Sequence, residues 1–137
     1  MNIKSEDLIY ESEGYRAHPY RDTRGYLTVA IGTNLDAGIP LDEAKAMVAF
    51  KVQKNRRLLL QDDRVMRMWP QLTPNMQAVC DDACYQLGVT GFLDFMPSWL
   101  LGAAGEYEMM ASHLRAAPLY KQTPKRVERW IELWRKL

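Results

Sequence analysis

Cysteine and histidine are scarce in this chain, two of each, and no apolar run is long. Cys80 and Cys84 stand four apart on one expected helix. Helix geometry aims their Cβ atoms along parallel directions, so no disulfide between them is expected. They read instead as small hydrophobes on a buried stripe. His18 and His113 are far apart, and no local Cys/His pair completes a ligand set, so neither a metal nor a cofactor is expected. No stretch approaches the ~20 apolar residues of a membrane span. Residues Met1 to Asp7 are polar and lack the apolar core of a signal peptide, which points to synthesis in a reducing cytoplasm. Charge of one sign is missing too. The net charge is +1, so bulk electrostatics gives no sign of a nucleic-acid partner. Only the C-terminal stretch leans basic: Arg115, Lys121, Lys125, Arg126, Arg129, Arg135 and Lys136 against Glu128 and Glu132. Its ordinary reading is a solvated helix face. Internal repeats and low-complexity segments are absent.

What is present suits a soluble globular protein. Of the 137 residues, 47% are hydrophobic and 26% charged, enough for one compact domain or two small lobes sharing a core. A first helix is expected from near Ile3 to Glu13, stopped by Gly14. Tyr20, Tyr26, Leu27, Val29 and Ile31 are strand formers around an Asp22-Thr23-Arg24-Gly25 turn, and Gly32 ends or bends the second strand. After the loop Asp36 to Pro40, a long helix is expected from Leu41 to about Gln61, with Asp42 and Glu43 favourably placed in its first turn. Thr73-Pro74 reads as an N-cap followed by proline at the first helical position. Met76, Val79, Cys80, Ala83, Cys84 and Leu87 then recur at helical spacing up to Gly88. Short helical pieces broken by Pro97 and Gly102 should follow, then a helix from Glu106 to Ala116 ended by Pro118. Thr123-Pro124 repeats the cap-plus-proline device before a last helix whose buried face is Val127, Trp130, Ile131, Trp134 and Leu137.

Glu13, Asp22 and Thr28 are the candidate chemistry. Taken singly they are ordinary. Asp22 alone is a turn former, and Thr28 alone is a strand residue. Glu13 is less ordinary, because an acid at a helix C-terminus is disfavoured by about 0.3–1 kcal/mol at exposed sites. Together they place two carboxyl groups and a hydroxyl on neighbouring elements. Glycoside hydrolysis needs such a set: one protonated acid for the leaving oxygen, and one ionised group to hold or activate a water. Gln86 ends an apolar helix stretch, where a half-buried amide must find partners. Trp130 and Trp134 fall on the core stripe, and Trp99 is left open between core and cleft.

The stretches Glu13-Gly14, Tyr20 to Thr28, Ile31-Gly32, Asp42-Glu43-Ala44, Gln86-Leu87-Gly88-Val89-Thr90-Gly91 and Tyr120 to Val127 occur in order along nearly the whole chain. With Met1-Asn2-Ile3 ahead of them, they resemble the phage-type lysozymes of glycoside hydrolase family 24, closest to the T-even branch. The resemblance implies an α+β, two-lobed fold. A small antiparallel β lobe (about 14–40) would be joined by a helix (about 41–61) to a helical lobe (1–13 plus 62–137), all in one lysozyme domain. It implies an endolysin, a muramidase cutting the β-1,4 bond between N-acetylmuramic acid and N-acetylglucosamine. Carried over, Glu13 is the acid, Asp22 the second carboxylate and Thr28 a water-positioning hydroxyl. Asn34, Tyr85, Gln86, Ser98 and His113 fall at sugar-contacting positions. Gly32 and Arg126 are supporting, with Arg126 reaching the Glu13 carboxylate. The expected partner is peptidoglycan, the expected state a monomer, and the expected place the bacterial cytoplasm before release to the wall.

Three departures bear on stability and specificity. Thr33 follows Gly32 where the family often has histidine. The segment Leu35 to Pro40 is short where members often carry an extra helix. His113 and Asn34 replace, respectively, a small amide and an apolar residue. Two rivals share the pattern: a lytic transglycosylase, which can work with the acid alone, and a non-catalytic wall-binding module of the same fold.

Overall fold

The computed structural model describes residues 2–136. Met1 and Leu137, the latter expected on the last apolar stripe, lie outside the described residues. The chain divides into two compact units, Met1–Met47 and Val48–Leu137. The fold is α+β: a small three-stranded antiparallel sheet, then a larger helical part, with eight α-helices among the described residues.

The first unit begins with helix α1 (Ser5–Glu13), which starts two residues later than expected. Gly14 ends it at φ 69°, its N–H bonded to the Tyr10 carbonyl, as a helix-stopping glycine should be. Strands β1 (Arg16–Arg21), β2 (Leu27–Ala30) and β3 (Thr33–Asn34) pair in sequence order. Tyr20 faces Thr28, and Thr28 faces Asn34. The β1–β2 register slips between Arg16 and Tyr20. Pro19 lies in that stretch, and a residue without an N–H cannot continue the ladder. The two-residue strand β3 was not anticipated. Thr28 is the one buried residue of this unit among the described residues, and α1 buries none.

Helix α2 (Leu41–Leu59) runs across the boundary between the units and ends two residues before the expected stop. Asp62, the residue after the expected stop, caps a short helix α3 (Asp63–Met68). Its carboxylate accepts from the N–H groups of Arg64 and Val65. Thr73 caps α4 (Pro74–Asp94) through Met76 N–H, as its sequence suggested. Gly88, at φ 77° and ψ 171°, breaks α4 where the apolar stripe stops, and the chain re-enters helix immediately after it.

Pro97 and Gly102 do not break the following segment. Both lie within α5 (Met96–Ala103), Pro97 in the first turn, where its missing N–H costs nothing. Gly102 is there for contact: a Cβ on it would sit 2.7 Å from Trp134 Nε1 and would also collide with the Met110 sulfur. Helix α6 (Tyr107–Ala116) is followed by α7 (Pro118–Gln122), because Pro118 opens a helix rather than only ending one. Helix α8 (Pro124–Arg135) buries Val127, Trp130, Ile131 and Trp134.

The hydrophobic core lies in the second unit. Its centre is aromatic. Trp99 stacks on Phe92 (5.4 Å between centroids) and on Trp134 (5.7 Å), and meets Trp130 edge-on at 6.0 Å. Its indole N–H donates to the Phe92 carbonyl. This resolves Trp99 as core. Cys80 and Cys84 are buried and unbonded. Burial pushes both thiols up, with help from the negative charge of Asp81; Cys84 reaches about 11.

Candidate active site

In the first unit, the end of α1 and the β2–β3 connection bring Glu13 onto Gly32. A Cβ added at Gly32 would lie 2.7 Å from Glu13 Oε2 and 2.8 Å from its carboxyl carbon. Gly32 has φ 71°, a conformation side chains other than glycine disfavour, so this residue allows both the turn and the close approach. Ala30, two residues earlier, holds φ 59° without being glycine. A non-glycine residue in that region is uncommon, and such strain concentrates at functional sites and clamps.

Asp22 follows β1. Its Oδ1 accepts from Arg24 N–H and Tyr26 N–H, both at 2.9 Å. Its own N–H donates to the Tyr26 carbonyl at 2.9 Å. The same carbonyl accepts the Thr28 hydroxyl at 3.0 Å. Asp22 and Thr28 are therefore tied to each other through the peptide groups of Tyr26. Thr28 is 4% exposed, and Glu13 is exposed. Asp22 thus performs the turn role its residue type suggests, with Oδ1; among the described residues Oδ2 receives no hydrogen bond. Asn34 also closes a turn, its Oδ1 accepting Ala37 N–H at 3.2 Å. Asp36, not singled out from the sequence, accepts Leu27 N–H at 2.8 Å and lies 3.5 Å from the Arg21 guanidinium.

The second unit carries the remaining candidates. Val48 and Val52 of α2, Ala78, Asp81, Asp82 and Tyr85 of α4, and Arg126 of α8 line an open cleft of about 370 Å³. Tyr85 is 40% exposed, with the Lys51 ammonium over its ring at 5.2 Å. Asp81 is held by Arg56 through Nε and Nη2. Arg126 is held by Asp82: Nε donates to Oδ2 at 2.9 Å and Nη2 to Oδ1 at 2.7 Å. Trp130 Nε1–H donates to the same Oδ2 at 2.7 Å. Burial works against the Asp82 charge, but the hydrogen bonds from Arg126 and Trp130 outweigh it and hold the carboxyl below its ordinary range. The partner expected for Arg126 was Glu13; the partner found in its own unit is Asp82.

Gln86, one turn after Asp82, donates from Nε2 to the Thr123 hydroxyl at 3.3 Å, and its Oε1 is buried without a partner. Thr123 does not cap α8 with its side chain. Its hydroxyl donates to the Leu119 carbonyl instead. Ser98 is buried, at 5%, in α5, and His113 is exposed near the end of α6. Neither lines the cleft that holds Tyr85 and Arg126. Among the described residues, no three His, Cys, Asp or Glu side chains are grouped as a metal would require, and no helix is long and apolar enough to cross a membrane. Sequence reasoning missed Asp82. Its signal was the acidic pair Asp81-Asp82 set between the apolar pairs Val79-Cys80 and Ala83-Cys84.

The elements and their order define a mixed α+β chain with a small sheet ahead of a helical part. No protein-family model matches it. It is distantly similar to the pre-baseplate central spike protein Gp5 of Enterobacteria phage T4, at 22% identity over a 154-residue alignment. That alignment covers 93% of this chain and 27% of the phage protein, so the chain spans about a quarter of its relative's length.

Proposed function

We propose that the chain is a lysozyme-type muramidase that hydrolyses peptidoglycan with inversion. The observation that carries this reading is the seat of Glu13. A carboxylate at a helix end lies over a glycine whose missing side chain makes room for it, in the compact unit that also holds Asp22 and Thr28. In this reading Glu13 protonates the glycosidic oxygen. The free Oδ2 of Asp22, steadied by the turn that occupies Oδ1, orients the attacking water. Thr28 fixes the Tyr26 peptide on which that turn depends. Tyr85, Gln86 and Asn34 are the proposed sugar-side residues. Distant similarity to a phage protein fits the phage-type resemblance of the sequence.

The test is a turbidity assay on purified peptidoglycan, with mass analysis of the products and proton NMR of the freshly released reducing ends. Hydrolysed ends carrying the α-anomer support an inverting hydrolase, because inversion at a β-linkage yields that anomer. Anhydro ends would replace this reading with transglycosylation. Intact glycan would favour a non-catalytic module, a reading to which the structural use of Asp22 in its own turn lends weight.

A further inference from the structure

Asp82 and Gln86 stand four apart on α4 and share a face. Along that face Asp82 takes Arg126 and Trp130, and Gln86 takes Thr123. The first two turns of α8 are thus registered on α4 by polar groups. The grip on Arg126 is specific. A guanidinium has five N–H donors in a rigid plane. Asp82 takes three: Nε to Oδ2, and Nη2 to both Oδ1 and the main-chain carbonyl, the last at 3.4 Å. Both Nη1 hydrogens are left without a partner among the described residues, and Arg126 lines the open cleft beside Tyr85.

We infer that Asp82 is the positioning residue of Arg126, fixing its plane so that the Nη1 edge is offered to an oxygen-rich ligand in the cleft of the second unit. The identity of that ligand as a peptidoglycan strand rests on the function proposed above. A bidentate carboxylate is suited to this task, since it matches the guanidinium fork and restrains its rotation. Charge balance agrees with a neutral or acidic oxygen ligand. Asp82 is paired with Arg126 and Asp81 with Arg56, and the ammonium of Lys51 stands beside the cleft, over the ring of Tyr85. The ligand's carbonyl, hydroxyl or carboxylate oxygens would therefore meet donors, with no free carboxylate to repel them.

Two measurements decide it. The first needs no activity: the Arg126 Nε–H resonance, assigned by its loss in Arg126→Lys, should be protected from solvent exchange in the wild type and lose that protection in Asp82→Ala. An unchanged signal in Asp82→Ala overturns the inference. The second uses soluble uncrosslinked peptidoglycan strands. Asp82→Ala should raise KM about tenfold and change kcat less than about twofold, as expected when an oriented binding contact is lost. Asp82→Asn, which keeps an acceptor oxygen, should recover part of the loss. In an Arg126→Gln background, Asp82→Ala should add nothing further to KM. A fall in kcat at constant KM, or a full Asp82→Ala effect without Arg126, would mark Asp82 as a structural residue only. A wild type that cleaves no strands would sink the muramidase reading, and the exchange measurement would still judge the clamp.

Discussion

Replacing Gly32 by alanine perturbs the proposed acid while leaving Glu13 itself in the sequence. Two effects follow from the structure. The backbone effect comes from φ 71°, where an L side chain costs roughly 1–2 kcal/mol. The contact effect comes from the added methyl, 2.7 Å from Glu13 Oε2 and 3.1 Å from its Cγ, distances at which one group must move. Glu13 is the exposed end of a flexible side chain, so it is the group that yields. The stability cost should therefore stay near the backbone term, while the carboxylate leaves its seat. Gly38→Ala is the control. Its φ is 78°, and a methyl there meets nothing within 4 Å. Both variants should melt about equally below the wild type. The two variants carry the same backbone loss in the same unit, so opening of that unit cannot explain a difference in lysis between them. Gly32→Ala should lose more than tenfold, bounded by the ~10²–10⁴-fold that general acid catalysis is worth. Gly38→Ala should keep most of its activity. Turbidity rates beside thermal melts measure both quantities. Equal lysis by the two variants would refute the claim that the seat of Glu13 matters.

Four further outcomes are expected. Glu13→Gln should abolish lysis with the melt unchanged, because an amide cannot donate the proton; substantial residual activity would reject the assignment. Gly102→Ala should destabilise by about 1–3 kcal/mol through overpacking against Trp134 and Met110, read as a lowered midpoint in urea. Thiol titration of the native protein should be slow for Cys80 and Cys84, since burial disfavours both thiolates, and rapid labelling would contradict that burial. Asp82 has its pKa depressed by folding, so its stabilisation is complete above the unfolded carboxyl value, near ~4, and is lost as pH falls through the folded one. The melting difference between wild type and Asp82→Asn should accordingly shrink below about pH 4; a pH-independent difference would show that charge plays no part.

The sequence was most legible where one residue type has one physical use. Gly14 stops α1, Thr73 caps α4, Gly88 breaks it, and the apolar spacing from Met76 to Cys84 marks its buried face. Proline was legible only in part, because it can end one helix or begin the next. Pro118 and Pro97 were read as breaks, yet both stand in first turns. Helix α3 is too short for periodicity to reveal, and its cap, Asp62, is equally a plausible stop for the helix before it. Strand β3 exists only through its pairing with Thr28 and Val29. The candidate site divides the same way. The Gly32 bend was visible, but that it seats Glu13 was not. The partner of Arg126 lies 44 positions away, and no local pattern links the two. Thr123 looked like a cap because of its neighbour Pro124, and a tertiary partner, Gln86, took its hydroxyl.

All four tryptophans, Trp69, Trp99, Trp130 and Trp134, belong to the second unit, whereas Glu13, Asp22 and Thr28 belong to the first. Intrinsic indole emission is therefore blind to the part of the chain on which the proposed chemistry depends. Among its described residues that part buries a single one, and segments with so little burial open at low free energy. On heating, lysis should fail before the emission changes. A fluorescence melt would then certify as native a preparation that has already lost its function, and the reporter to use instead is one placed at the exposed ring of Tyr26, just ahead of β2.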